Sequence, residues 1–321
     1  MPSSYSPEPP PVYFPIYKST DYGVSWSEFS KVTDQAYGWG NRYQPFLYLL
    51  PADFAEWKAG TIFLAGSSIP TDLSSTHLVL YASADSGSTW TFVSHIANGG
   101  EAIPDNGLTP VWEPSLLLVG QKLICYYSDQ RDNTTHGQKL VHQTTTDGIN
   151  WGPVVDDVAY PTYTDRPGMP IVAQIGKDGD YVMTYEYGGG PVDGVQPVNY
   201  TFPVFYKVSA DPEAFGSAVG QPIVTNDAAR TVPASSPYVI WDEEIGLIVS
   251  CGTSSDVFVN KGTGVDGWES KYTGERVSYT RSLRMIYGGK WQKGLTLSGG
   301  GLLPPSNNNS VTIGVVDVKG W

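Results

Sequence analysis

Two glutamates stand at unusual positions in this sequence. Glu113 lies between Trp112 and Pro114 at the head of an apolar run, and Glu186 follows an apolar, strand-like stretch and precedes three glycines. Acidic side chains are rarely buried without a partner or a task, and glycines let a ligand approach the backbone closely. Glycoside hydrolysis needs two carboxyl groups, one as acid and one as nucleophile or base. Glu113 and Glu186 are therefore our candidates for a catalytic pair.

Each candidate has a plainer alternative. Either glutamate could be an ordinary surface or salt-bridged residue, because structural ion pairs also place carboxylates in special surroundings. A rival pair, Glu243 and Glu244, follows Asp242 directly and precedes Ile245-Gly246. Three acidic residues in a row before a glycine are typical of a solvated hairpin turn, so we do not favour this pair.

The elements that must position these residues recur along the chain. Apolar strands open with a proline four times, at Gln44-Pro45, Glu113-Pro114, Met169-Pro170 and Ser236-Pro237. Each opening is followed by a second apolar strand. A third strand leads into a turn motif in the clearer copies. Three consecutive strands, a turn and a fourth strand make one four-stranded blade.

The turn motif is a second repeat. The pattern S-x-D-x-G-x-x-W occupies Ser19–Trp26 and Ser83–Trp90, is one residue shorter at Thr145–Trp151, and is degraded at Ser209–Phe215. The aspartates at 21, 85, 147 and 211 give intervals of 64, 62 and 64 residues. Asp and Gly favour turns, and a Trp can cover such a turn with its ring. A fixed period with a turn in each copy indicates a repeat architecture.

The motif resembles the Asp box of sialidases and related β-propellers, where it joins the third and fourth strands of a blade far from the active site. We therefore predict one all-β domain over residues 1–321, a sialidase-like β-propeller. Chain length divided by the period gives five blades, whereas the resemblance and the strand-rich region 237–321 point to six. We predict six blades, closed by pairing of the N- and C-terminal strands, and keep five as the alternative.

Composition narrows the class of partner. Aromatic residues make up 13% and charged residues 16% of the chain, and the net charge is −13. Nucleic acid requires a basic surface, so it is not an expected partner. No apolar run approaches the ~18 residues that a membrane span needs, so no membrane partner is expected. The 4 His show no metal-binding spacing, so no metal or cofactor is expected. Cys125 and Cys251 are predicted to be buried free thiols.

The cellular compartment is predicted from the first residues of the chain and from its glycosylation sequons. The first residues show neither a basic start nor an apolar segment, so no signal peptide is visible. Sequons stand at Asn133, Asn199 and Asn308 and fit a secreted protein. We expect an extracellular monomer, with a cytoplasmic location as the alternative.

Substrate-binding residues should come from the strand openings, because the inner strands of a propeller converge on a central channel. The candidates for holding sugar rings are Trp39, Arg42, Gln44, Arg166, Tyr187 and Tyr238.

The chain resembles glycoside hydrolase family 93 more than it resembles the sialidases, through the turn motifs and the elements Trp112-Glu113-Pro114 and Tyr185-Glu186-Tyr187. The resemblance implies a retaining exo-α-1,5-L-arabinanase that releases arabinobiose from the non-reducing end of arabinan and arabino-oligosaccharides. It implies Glu113 and Glu186 as catalytic residues. The apolar neighbours of Glu113 suit the proton donor, and the tyrosine hydroxyls beside Glu186 suit an ionised nucleophile, although the reverse assignment stays open.

Two alternatives remain at this point. A sialidase would need three arginines around the sugar carboxylate, and this chain has Arg42-Tyr-Gln-Pro45 where sialidases carry Arg-Ile-Pro. A carbohydrate-binding propeller without catalysis would follow if the two glutamates did not serve one site.

Overall fold

The computed structural model of the chain describes residues 9–177, 179–192, 201–262, 267–301 and 310–321. Asn199 and Asn308, two of the sequon positions, lie outside these ranges. The chain divides into two compact units. We call Pro2–Lys18 with Ser27–Pro170 the N-terminal unit, and Ser19–Trp26 with Ile171–Trp321 the C-terminal unit.

The N-terminal unit contains a two-stranded sheet and two four-stranded antiparallel sheets. The small sheet pairs β1 (Phe14–Lys18) with β2 (Ser27–Val32). The next sheet is β3 (Asn41–Leu49), β4 (Ile62–Ser68), β5 (Thr76–Ser83) and β6 (Thr91–Gly99). The second four-stranded sheet is β7 (Val111–Val119), β8 (Lys122–Asp129), β9 (Lys139–Thr145) and β10 (Val155–Val158).

The third four-stranded sheet starts with β11 (Arg166–Gln174), whose first residues belong to the N-terminal unit. It continues in the C-terminal unit with β12 (Tyr181–Gly188), β13 (Val204–Ser209) and β14 (Gln221–Pro222). The fourth four-stranded sheet is β15 (Tyr238–Asp242), β16 (Gly246–Ser250), β17 (Val257–Asn260) and β18 (Glu269–Lys271). The last is β19 (Arg281–Gly288), β20 (Trp291–Gly299) and β21 (Thr312–Asp317).

The strands confirm an all-β protein of the propeller class, and the described residues form five blades. The prediction of six blades is wrong and the alternative of five is right. Region 237–321 does hold two blades, but residues 9–32 form only the β1–β2 pair and not a full blade. In the described ranges β21 pairs with β20, and closure through the N-terminal strands stays a prediction. No helix in these ranges is long and apolar enough to cross a bilayer.

Three of the four turn motifs join the third and fourth strands of a blade, as the sequence predicted, and the first motif joins β1 to β2. The motif at Ser83–Trp90 connects β5 to β6, the third and fourth strands of its blade. Asp85 Oδ1 accepts the backbone N–H groups of Ser88 and Thr89 at 3.0 and 2.9 Å, and Trp90 Nε1 donates to Gly87 O at 3.2 Å. Gly87 has a φ of +86°, which a residue without Cβ adopts at little cost. The turn is therefore a local structural device.

The turn aspartate gives a pH-dependent prediction. Hydrogen bonds from the backbone and hydroxyl of Thr89 and from the Ser83 hydroxyl lower the pKa of Asp85 to about 2, from 3.8. A lowered folded-state pKa stabilises the fold above pH ~4, and this contribution is lost as the pH falls toward 2. We expect Asp85→Asn to lower the melting temperature at pH 7 and to flatten its fall between pH 5 and 2. Asp105→Asn, at an exposed side chain, is the control, and equal pH slopes for Asp85→Asn and the parent would contradict the prediction.

Each unit has its own apolar core, built from the buried faces of its strands. The N-terminal core includes Phe63, Leu80 and Tyr127, and the C-terminal core includes Val204 and Trp268. Cys125 and Cys251 are buried free thiols, as predicted.

Candidate active site

The four proline-marked openings share a strained backbone. At each of them a residue other than glycine just before the proline has φ in the left-handed region, between +45° and +64°. Such conformations cost about 1–3 kcal/mol each and cluster at functional sites. The pairing of β3 with β4 and of β7 with β8 shifts register at the same points, as in a β-bulge. The left-handed residues are Tyr43, Gln44, Glu113, Met169, Ser235 and Ser236.

Glu113 sits in the bulge of β7, and its carboxylate is held from three sides. The Ser128 hydroxyl and the Met169 backbone N–H donate to Oε2 at 2.6 and 2.7 Å. Gln44 Nε2 approaches Oε1 at 3.5 Å, a long contact. Ser128 reaches the carboxylate because it pairs with Trp112 across the strands, next to the bulge. The first residues of β3, β7 and β11 therefore converge on this group.

The surroundings of Glu113 favour its protonated form. Loss of hydration raises the pKa of the Glu113 carboxyl above its usual range. The Ser128 hydroxyl, the Met169 N–H and the positive charge of Arg166 oppose this shift without cancelling it. A carboxyl group with a raised pKa keeps its proton to a higher pH and can act as a general acid.

Gln44 has a strained backbone and a buried side-chain oxygen that accepts no hydrogen bond in the described part of the chain. Its φ is +46°, and its Nε2 points to Glu113. Its Oε1 is buried and has no hydrogen-bond partner within the described part of the chain. A buried acceptor without a donor is costly, so this oxygen suits a hydroxyl group of a ligand.

Glu186 lies on β12, opposite Val204 of β13, and is buried. Its Oε2 accepts the backbone N–H of Ser236 at 2.9 Å and the hydroxyl of Ser235 at 3.2 Å. Hydrogen bonds donated to a carboxylate stabilise its ionised form. This arrangement suits a nucleophile, and the donors come from the opening that precedes β15.

Comparison with solved structures gives matches over nearly the full chain. The α-L-arabinanase of Penicillium chrysogenum, solved with arabinobiose, shares 53% identity at a TM-score of 0.90, over 98% of this chain and 88% of that one. The family GH93 α-L-arabinofuranosidase of Fusarium graminearum, also solved with arabinobiose, shares 50% identity at 0.91, over 97% and 87%. The chain belongs to glycoside hydrolase family 93. The resemblance named from the sequence is thus confirmed, although no protein-family model and no curated protein matches the chain.

The tyrosines beside Glu186 in this family 93 chain lie differently from our prediction. Tyr185 and Tyr187 alternate with Glu186 along β12, so their side chains start on the opposite face of the strand. Their rings contact Phe205, with centroids 6.0 and 5.1 Å away. The donors to Glu186 that the structure identifies are Ser235 and Ser236, which the sequence analysis had not connected with it.

Three further candidates are engaged with protein groups. The Arg166 guanidinium donates to the side-chain amides of Asn106, Gln130 and Gln138. Arg42 is buried, and its Nε donates to Ile69 O at 3.1 Å. The candidate stacking residue, Trp39, lies against Tyr37, with ring centroids 4.3 Å apart. Their predicted contacts with sugar stay predictions.

Tyr238 opens β15 in the C-terminal unit and is buried. Arg284 donates to its hydroxyl at 2.6 Å and lies over its ring at 5.5 Å. The rival glutamates occupy the predicted hairpin turn between β15 and β16, where Glu244 pairs with Lys293 at 2.7 Å. Within the described ranges, no group of three or more His, Cys, Asp or Glu side chains could hold a metal ion.

Proposed function

We propose that the chain is a retaining exo-acting hydrolase of α-1,5-linked L-arabinan that releases arabinobiose from the non-reducing end. The observation that carries this proposal is the similarity, at 50% identity or more over nearly the full chain, to an α-L-arabinanase and an α-L-arabinofuranosidase that were both solved with arabinobiose. The hydrogen-bonded carboxyl groups of Glu113 and Glu186 and the raised pKa of Glu113 support it, since retaining hydrolysis needs two carboxyl groups, one of which gives a proton.

The proposed mechanism is a double displacement. Glu186 attacks the anomeric carbon and forms a covalent glycosyl-enzyme while Glu113 gives its proton to the departing glycosidic oxygen. Glu113, now ionised, then takes a proton from water, and the resulting hydroxide oxygen displaces Glu186 and releases the sugar. The Ser128 hydroxyl and Met169 N–H hold Glu113 in its ionised state between the two steps.

Linear α-1,5-arabinan is the first test. We expect arabinobiose as the product from the earliest time points, and ¹H NMR should show that it forms with the anomeric configuration of the substrate. A ladder of mixed oligosaccharides would contradict exo action, and the opposite anomer would contradict retention. Sialyllactose is the parallel substrate, because release of sialic acid would favour a sialidase. Binding of arabinan without cleavage would leave a carbohydrate-binding propeller.

We also propose that the enzyme is an extracellular monomer. The sequon at Asn133 supports secretion, because this side chain is partly exposed in the N-terminal unit. Light scattering of the purified protein should give the mass of one chain, and the protein expressed behind a fungal secretion signal should be recovered from the medium with a glycan on Asn133.

A further inference from the structure

We propose that Arg166 is a positioning residue that fixes Glu113 by joining the two strand openings that hold it, and that it is not a ligand of the sugar. This inference rests on the proposed function, because it takes Glu113 as the acid. Three observations carry it: a link from Arg166 to the strand that bears Glu113, a link to the strand that donates to Glu113, and the charge that Arg166 brings near both.

The first link runs to β7 through Gln130. Arg166 Nη2 and Trp112 Nε1 both donate to Gln130 Oε1, at 3.0 and 3.1 Å. Gln130 is fully buried, and its Nε2 donates to the backbone oxygen of Asp105 at 3.1 Å. That bond sets the orientation of the amide, so its oxygen must face Arg166 and Trp112. Since Trp112 precedes Glu113 in the bulge, this chain of contacts restrains the backbone that bears the acid.

The second link holds the opening of β11. Arg166 Nη2 also donates to Gln138 Oε1 at 2.9 Å, and Gln138 Nε2 donates to Pro167 O at 2.8 Å. Pro167 is two residues from Met169, whose backbone N–H is one of the donors to Glu113. Both amide oxygens accept from one nitrogen, Nη2, while Nη1 donates to Asn106; this planar fork of N–H groups has a fixed geometry, which the single point charge of a lysine ammonium lacks. The fork of Arg166 therefore sets the distance between the acid and its backbone donor.

The charge of Arg166 acts separately from its geometry. The side-chain amides of Asn106, Gln130 and Gln138, which accept hydrogen bonds from the guanidinium, are neutral. The positive charge lowers the pKa of Glu113 and so opposes the effect of burial. The two contributions can be separated experimentally, because Arg166→Lys keeps a charge and loses the fork, whereas Arg166→Met loses both.

The test measures kcat and KM on linear arabino-oligosaccharides as a function of pH. We expect both variants to lose about 10- to 100-fold in kcat with KM changed less than about threefold, as misplacement of a catalytic group predicts. The basic limb of kcat/KM should move to higher pH in Arg166→Met and stay in place in Arg166→Lys. Arg131→Met is the matched control. Arg131 is half-buried and paired with Asp129 at 2.7 Å, so its loss should lower the melting temperature and leave the pH profile unmoved.

A second measurement does not depend on turnover. ¹³C NMR titration of labelled glutamate carboxyl groups, with Glu113→Gln to assign the signal, should show a higher Glu113 pKa in Arg166→Met than in the parent. A tenfold rise in KM with unchanged kcat and an unmoved Glu113 titration would make Arg166 a sugar ligand and overturn the inference. An inactive parent would overturn the proposed function alone, because the titration would still decide the effect of Arg166. If Arg166→Met does not fold, Arg166→Lys still tests the contribution of the guanidinium geometry, which is measured as the loss of kcat in that variant.

Discussion

Glu186→Ala is expected to lower kcat on arabino-oligosaccharides by at least about 10³-fold, because the first step then has no nucleophile. The positions of Ser235 and Ser236 should not change in this variant, because the Ser236 donor is a backbone N–H group. Sodium azide with an activated aryl arabinobioside distinguishes the roles of the two glutamates. Azide entering the space left by the Glu186 carboxylate should yield a glycosyl azide of inverted configuration.

The matched control for this variant is Glu244→Gln. Glu244 is the rival glutamate in the β15–β16 turn, where it pairs with Lys293 at an exposed position. Its replacement should leave kcat within about twofold, since exposed ion pairs contribute little. Retention of a tenth or more of the parent activity by Glu186→Ala, or a retained configuration of the azide product, would remove Glu186 from the role of nucleophile.

The local features of this fold could be predicted because each depends on a few adjacent residues. Prolines marked the openings of β3, β7, β11 and β15, and the Asp-Gly-Trp pattern marked the turn between β5 and β6. The number of blades was harder to predict from the sequence, because it depends on which strands pair with one another. The resemblance to sialidases pointed to six blades, yet β1 and β2 pair only with each other among the described strands. A turn motif reports the connection of two strands and not the sheet around them.

The sequence predicted the two glutamates of the candidate site but not the residues that donate hydrogen bonds to them. Ser128 and Met169 reach Glu113 from 15 and 56 positions away in sequence, and Ser236 reaches Glu186 from 50. Contacts of that separation follow from strand pairing, which no local pattern specifies. One error was avoidable. The period of two in a strand already places Tyr185 and Tyr187 on the face opposite Glu186, so their hydroxyls were poor choices as its donors.

Glu113→Gln is expected to lower kcat on arabinan by about 10²- to 10⁴-fold, the usual contribution of a general acid. The loss should be far smaller on a 2,4-dinitrophenyl arabinobioside, because this leaving group departs without a proton. In the parent enzyme the raised pKa of Glu113 keeps the acid protonated up to that pKa, so activity falls as the pH rises through it. Glu113→Gln should therefore lose the basic limb of the kcat/KM profile. Ser128→Ala removes a donor to the ionised carboxylate and should move that limb to higher pH. Equal losses on both substrates, with the basic limb still present in Glu113→Gln, would assign the proton transfer to another group.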